Sequence, residues 1–326
     1  MPTPSTTLAT LRPDLGGSFM DFDNELDRMG FIGYRALPII GASREAGKFG
    51  RIPLAQLLKN ADVKRNSRSG YPRGDWTFTD VSFATEEFGF EEPVDDRDAK
   101  MYDDYFNAEM ISAGLARDTV LREAEKRIAA MIFNTGTWTG ASLTTAVGVT
   151  WATPATAVPI TDVNAAVGKV YDNTGMWPNC LIINRKVFRG LRVVTQVKDS
   201  IQSSGAGFPT RARDITVAQL REVFDLDYVL VAGGTKNSAN EGQAASPGQI
   251  WGGGFAMICR IATTDNIKEP CVGRTIHWSE DGSTPGGTME TYRDETVRSD
   301  IVRCRHDVDE IVIEPKFGHL LTNIGF

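Results

Sequence analysis

The sequence predicts an α+β fold: an extended arm and charged hairpin joined to a long helical rod, then an α/β unit, then a closing pair of long strands. Three stretches predict it. Glu86 to Asn134 passes from the charged run Glu-Glu-Phe-Gly-Phe-Glu-Glu-Pro-Val-Asp-Asp into unbroken helical periodicity. From Thr161 onward, helical patterns alternate with short buried-strand patterns. From Met289 to Ile313 the chain reads as long polar strands. An extended arm on a rigid rod suits a protein that reaches over neighbouring copies of itself.

The rod is expected over residues 98–134. Between Asp98 and Asn134 there is no Pro, and Gly114 is the only Gly. Phe106, Met110, Ala113, Ala116, Val120, Ala124, Ile128 and Met131 recur in steps of three and four, one buried helical stripe. Asp118 stands four residues before Arg122 and Glu123 four before Arg127, the favourable order for exposed helix pairs. Asp95, Asp96 and Asp98 place negative charge where the helix dipole favours it. Asn134-Thr135-Gly136 supplies a stop, with Gly136 in a left-handed cap. At ~1.5 Å per residue the rod is roughly 55 Å long, against a mean helix of about 11–12 residues. Its Ala and Met stripe lacks the strict heptads of a coiled coil.

The chain has 326 residues, 41% of them hydrophobic, enough for a substantial core and two domains. Without a run of 18 apolar residues, no membrane span is expected. Met1-Pro-Thr-Pro-Ser-Thr-Thr lacks the charged-then-apolar pattern of a secretory signal. Cys180, Cys259, Cys271 and Cys304 never form C-x-x-C and read as reduced, buried thiols of a cytosolic product, with a single bridge left open. The balance of 35 basic and 42 acidic residues gives a net charge of −7. That argues against tight, sequence-specific nucleic-acid binding and leaves room for loose, unspecific contact.

Residues 1–50 are poorly periodic. Phe19-Met20, Phe31-Ile32-Gly33-Tyr34 and Leu37-Pro38-Ile39-Ile40 alternate with Gly, Pro and charge, as in an arm that finds its burial against another surface. Residues 51–97 read as a projecting hairpin. Ile52 to Leu58 opens it. Lys59, Lys64, Arg65, Arg68 and Arg73 cluster with Gly70, Pro72 and Gly74 at its tip. Trp76, Phe78, Val81 and Phe83 return as a strand whose phase slips at Asp80, as at a β-bulge. The acids Glu86, Glu87, Glu91, Glu92, Asp95 and Asp96 are the opposite-sign candidates for pairing with the basic tip, within or between subunits. A solvated loop is the plain alternative for the tip.

Residues 137–158 read as turns and short strands around Trp138 and Trp151. Thr161 or Asp162 caps a helix through Tyr171 that stops near Gly175. Cys180 to Ile183 is a buried strand, and Asn184 caps the helix bearing Val187, Phe188 and Leu191. A helix over Val217–Phe224 precedes the strand Tyr228–Ala232. Residues 233–248 form a flexible polar loop. Strands follow at Gln249–Trp251, Phe255–Ile261 and Arg274–Trp278.

Catalytic chemistry is thin. Cys304 and His306 share one face of a strand, but a zinc site needs further ligands in paired spacing, and a packed pair is the expectation. No G-x-S-x-G elbow occurs. Gly252-Gly253-Gly254 lacks the later Gly of a dinucleotide loop, and Gly233-Gly234-Thr235-Lys236 lacks phosphate-loop spacing. Asp307, Asp309 and Glu310 read as the solvated or intersubunit face of a β-ribbon. No enzyme activity, cofactor or metal is expected.

The order of parts resembles the major capsid proteins of tailed bacteriophages, the Hong-Kong-97-type (Johnson) fold. Three stretches carry the resemblance: Phe88-Gly89-Phe90-Glu91-Glu92-Pro93-Val94-Asp95-Asp96 leading into the rod, Trp177 to Leu191, and Gln249-Ile250-Trp251-Gly252 after the glycine-rich loop. The resemblance implies an N-terminal arm (1–50), an extended loop lying over the next subunit (51–97), and a peripheral domain with its spine helix (98–158, helix 98–134). An axial domain (159–270) follows, with the 233–248 loop near the centre of each capsomer, and the chain returns to the peripheral domain (271–326). It further implies self-assembly into hexamers and pentamers of an icosahedral virion shell around double-stranded DNA. The subunit would be made in the host bacterial cytoplasm and have no membrane partner. A portal and, since the arm is short, a separate scaffolding protein are the expected partners, with room for a decoration protein. Lys59 and Lys64 lie where some members form crosslinks, but no partner Asn is identified and crosslinking is not expected. The alternatives are an encapsulin-like nanocompartment shell of the same fold and, less favoured, an α/β enzyme with an unusual insertion.

Overall fold

The computed structural model describes residues 10–11, 30–51, 53, 56, 58–60, 63–75, 77, 79–102, 107–203, 215–240 and 242–326. Phe19, Met20, Trp76, Phe78 and Phe106 lie outside them.

The described chain begins with β1 (Thr10–Leu11), a single turn α1 (Gly33–Ala36) and β2 (Ile39–Ala42). Phe31, Ile32, Ala36 and Leu37 are buried in the chain's own core, and β2 pairs in parallel with β12 (Gly273–Trp278). This part of the arm therefore finds its burial within its own subunit.

A two-stranded ribbon follows, β3 (Ala46–Arg51) against β4 (Thr79–Ala84). Its register runs without interruption from Ala46↔Ala84 to Arg51↔Thr79. The bulge expected at Asp80 is absent: Asp80 faces Gly50, and its carboxylate is 2.8 Å from Lys48. The hairpin also opens earlier than expected, at Ala46, and closes by Ala84. β5 (Glu86–Asp95) leaves it for a larger sheet.

The expected single helix over 98–134 is two. α2 is Asp96–Tyr102 and α3 is Ala108–Ile132. Asn107 is extended, at φ −80° and ψ 108°, and its side chain accepts from Met110 N at 3.1 Å. A short polar side chain that satisfies an orphan N–H starts a new helix there. Asp95, Asp96 and Asp98 belong to the start of α2, where Asp95 Oδ1 accepts from Arg97 N. At the far end Phe133 is the cap, and Gly136 does not take a left-handed conformation.

The face α3 buries is also broader than the stripe read from the sequence. Ala113, Ala116 and Val120 pack on Val94, Met289, Val302 and Cys304, the small alanines bringing the helix close to the sheet. Leu121, Ile128 and Ile132 turn toward the central core. Met110 is 44% exposed, outside either face. The Asp118–Arg122 pair forms, but Glu123 pairs with Lys126, while Arg127 reaches across to Glu310.

Two larger sheets organise the rest. The first has the order β1–β13–β14–β12–β2, with β13 as Thr288–Asp294 and β14 as Ser299–Val312; β5 pairs along the other edge of β14 from Asp95↔Ser299 to Glu86↔Val308. The second has the order β6–β15–β11–β7–β8, that is Thr144–Ala146, Gly318–Thr322, Phe255–Cys259, Cys180–Asn184 and Tyr228–Ala232. β15, β11, β7 and β8 of this sheet alternate their side chains between two cores. Cys180 and Ile182 of β7 join the central core with α3 and the arm, and Leu181 and Ile183 join a second core. That second core is covered by α4 (Pro159–Thr174), α5 (Arg185–Leu191), α6 (Thr195–Ser203) and α7 (Val217–Phe224). Burial on both faces explains the unbroken apolar run of β7. α4 begins at Pro159, ahead of the expected cap, with Asp162 inside its first turn accepting from the Trp151 indole, and ends at Gly175 at φ 70°. The glycine-rich loop is tied at its base by β9 (Thr235–Asn237) on β10 (Pro247–Gln249).

A carboxylate joins these parts. Glu125, on α3, is buried and accepts from Ile32 N at 2.9 Å, Gly33 N at 2.7 Å and Trp251 Nε1 at 2.6 Å. It holds the arm, α3 and the segment after β10 at one point. Burial pushes its carboxyl above the usual glutamate value, against the pull of the three donors.

His306 is a second buried titratable group. It lies edge-on to Phe88 at 6.0 Å, with Nδ1 3.3 Å from the Pro285 carbonyl. Burial pushes its imidazole down to about 4. The unfolded chain then binds the proton first as pH falls, so stability is full above about 6.5 and is lost toward 4. At 1.36 kcal/mol per pKa unit this amounts to about 3 kcal/mol. Chemical denaturation of the unassembled subunit across pH 7 to 4 should show this loss, and His306→Gln should flatten it; an equally steep profile in the variant would refute the assignment.

Candidate subunit interface

The ribbon presents its charges outward. Lys59, Lys64, Arg65, Arg68 and Arg73 are all exposed between β3 and β4. Arg65 braces the tip locally, donating to Ser69 O at 2.8 Å with its guanidinium 4.8 Å above the Tyr71 ring. Arg68 takes a left-handed conformation, φ 67°, at the turn. The ribbon is anchored at the tip-ward end of its paired strands, where Arg51 donates to the Ile313 carbonyl at 2.6 Å and lies 3.2 Å from Glu314. Beside that anchor, Phe49, Met176, Ile267, Cys271 and Phe317 line a largely apolar cleft of about 400 Å³.

The acidic strand does not pair with this tip among the described residues. Its partners are arginines of its own sheet. Glu91 and Glu290 flank Arg303 in register on β5 and β13, at 2.6 and 3.6 Å, and Tyr292 donates to Glu91 at 3.1 Å. Arg305 pairs with Asp281 at 2.5 Å and Glu290 at 2.9 Å, with Glu87 further off at 3.7 Å. Asp96 takes a two-pronged contact from Arg293 at 2.5 and 2.7 Å, which holds its carboxyl below the usual range. Glu86 and Glu92 make no ion pair with a described residue, and Asp95 meets only the Arg97 backbone. Sequence reasoning named the acids and missed Arg293, Arg303 and Arg305. Their one local signal was the alternation of Arg303 and Arg305 with Val302, Cys304 and His306, which puts both on the outer face.

Asp307, Asp309 and Glu310, expected on a solvated or intersubunit face, are at least partly buried, and the last two make contacts within the subunit. Asp307 is buried, Asp309 accepts from Ala84 N at 3.0 Å, and Glu310 takes Arg127 through both oxygens at 2.7 and 3.1 Å. Arg127 also covers the Phe88 ring at 3.7 Å. These contacts brace the base of the ribbon and the C-terminal part of α3 against β14.

Nucleophile and base chemistry has little footing here. Ser283 Oγ is 3.1 Å from His277 Nε2, but Ser283 donates to the Trp278 carbonyl, so the imidazole is the donor to Ser283. Both side chains are buried. Cys304 is buried and its thiol is pushed up to about 12, chiefly by that burial. The described residues hold no cluster of three His, Cys, Asp or Glu side chains placed to bind a metal. None of their helices is long and apolar enough to cross a membrane.

The arrangement combines an exposed basic ribbon, a helix laid on a long-stranded sheet, and a helix-covered second sheet. No protein-family model matches the chain. It is 22% identical over 297 residues to the major capsid protein of Pseudomonas phage JBD67, covering 90% of this chain and 91% of that one. To the major capsid protein of Burkholderia phage BcepMu it is 21% identical over 302 residues, covering 90% and 92%. Among solved structures, a phage-related protein from Bordetella bronchiseptica RB50 superposes with a TM-score of 0.68 at 17% identity, over 97% of this chain and 98% of that one. The capsid of Myoviridae phage XM1 superposes at 0.53 and 11% identity, over 99% and 95%. The fold is the Hong-Kong-97-type capsid fold.

Proposed function

We propose that this chain is the major capsid protein of a tailed bacteriophage, assembling into hexamers and pentamers of an icosahedral shell around double-stranded DNA. The observation that carries this reading is similarity over 90% of the chain to two phage major capsid proteins. Its role is structural and not catalytic, and it is a virion component made in the host bacterial cytoplasm. The exposed ribbon reaches a neighbouring subunit, and its basic tip meets carboxylates there. Residues 159–270 serve as the axial domain, with the 233–248 loop toward the capsomer centre. Residues 98–158 and 271–326 form the peripheral domain. Assembly uses a scaffolding protein and a portal.

A shell multiplies modest contacts. One specific interface buries ~1,600 Å², whereas a ribbon that engages neighbours while the body is already held gains effective concentration. Negative-stain microscopy of the purified chain tests the proposal. Closed shells or capsomer rings are expected, and a monodisperse small oligomer under all assembly conditions would overturn it. Particle contents, DNA or a packaged protein, decide between a genome container and a nanocompartment.

A further inference from the structure

The charges on α5 differ from those of the long-stranded sheet. Arg185, Arg189 and Arg192 stand at i, i+4 and i+7, one stripe along the helix, with Lys186 beside it. Val187, Gly190 and Leu191 bury the opposite side. The helix is fixed at its start by Asn184, whose side chain accepts from Lys186 N at 2.6 Å, and Arg192 lies over the Phe188 ring at 5.4 Å. On the long-stranded sheet, Arg293, Arg303 and Arg305 are each matched by carboxylates. Arg185, Lys186 and Arg189 are exposed and make no ion pair with a described residue.

We propose that this stripe is a contact surface for the phosphate backbone of double-stranded DNA. The inference rests on the capsid reading and assigns part of its DNA contact to α5. Arg185, Lys186 and Arg189, exposed and close together in a chain of net charge −7, concentrate positive charge suited to a polyanion. Spread over ~10 Å of helix, it suits a linear array of phosphates, which a duplex offers at about one charge per 1.7 Å of axis. A second copy of this chain is the weaker match: Glu91, Asp96, Asp281 and Glu290 are already paired in their own subunit, and Glu86, Glu92 and Asp95 are the acids set against a neighbour's ribbon tip. The contact is through phosphate alone and carries no base specificity.

The test uses the full chain as unassembled subunits, a fluorescent 20-base-pair duplex, and anisotropy titrations at several salt concentrations. Arg185→Glu/Arg189→Glu should bind at least tenfold more weakly at low salt. The slope of log K against log salt should shrink by about two, the loss of two phosphate contacts. Arg185→Lys/Arg189→Lys, which keeps the charge, should stay within threefold of the parent. The same preparations are imaged by negative stain. Shells with wild-type affinity in the Glu variant would overturn the stripe and leave the capsid reading intact. Lost shells with unchanged duplex binding would also overturn it, making the stripe a subunit contact. A parent chain that forms no particles would strike at the capsid reading itself.

Discussion

Glu125→Gln should destabilise the unassembled subunit by about 2–4 kcal/mol, almost as much as Glu125→Ala, because an unsatisfied buried donor costs about 1–3 kcal/mol. The carboxylate is surrounded by donors only. Oε1 accepts from Ile32 N and Trp251 Nε1, and Oε2 accepts from Gly33 N. A carboxamide has one accepting oxygen, so either orientation sets its NH₂ against at least one N–H. Space is equally restricted: a Cβ at Gly33 would lie 2.5 Å from Oε2 and 2.8 Å from Ile128 Cδ1, so Gly33→Ala should also destabilise. Urea denaturation gives the values. Trp251→Phe removes one donor, and in that background Glu125→Gln should cost less; such coupling identifies the network and not a general packing loss. A Gln variant within about 0.5 kcal/mol of the parent, the usual range of an inconsequential surface change, would refute the account.

Glu125 also marks where sequence reading stops. Arg117, Leu121, Glu125, Ile128 and Ile132 form a second buried stripe beside the alanine one. Two charged members made it read as a solvated face, because charged side chains are seldom buried unless partnered. Their partners, Gly286 for Arg117 and Ile32, Gly33 and Trp251 for Glu125, are far off in sequence. Elements defined by local rules were legible. β7 showed as an apolar run, Asn184 as the cap of α5, Gly175 as the stop of α4, and α7 as Val217–Phe224. The break before α3 was not, since Asn107 interrupts the helix by a cap and without Pro or Gly. The acidic strand was legible as charge but not in its pairing. Arg293 and Arg303 lie about two hundred residues from their partners, and only strand register joins them.

Arg65→Glu/Arg68→Glu should abolish shells at subunit concentrations that suffice for the parent, while leaving the subunit's melting temperature within about 1 °C. The tip is exposed and its described contacts are local, a backbone carbonyl and the Tyr71 ring for Arg65. Surface changes of this kind usually alter stability by no more than about 0.5 kcal/mol. Within the subunit, Asp96 at the start of α2 is spent on Arg293, and Glu91 of β5 on Arg303. Those left for a neighbour's ribbon are Glu86, Glu92 and Asp95. Each exposed pair is worth only ~0.2–1 kcal/mol, but reversal turns attraction into repulsion at every copy of the contact. A change of ~1.4 kcal/mol per subunit raises the assembly threshold about tenfold. Light scattering against concentration measures that threshold, and added salt should narrow the gap between parent and variant, since exposed charges are screened. Normal shells from the double variant at the parent's threshold would show that the tip does not act through charge. The salt series carries a second discrimination: a gap that persists at high salt would place the effect in the shape of the tip and not in its electrostatics.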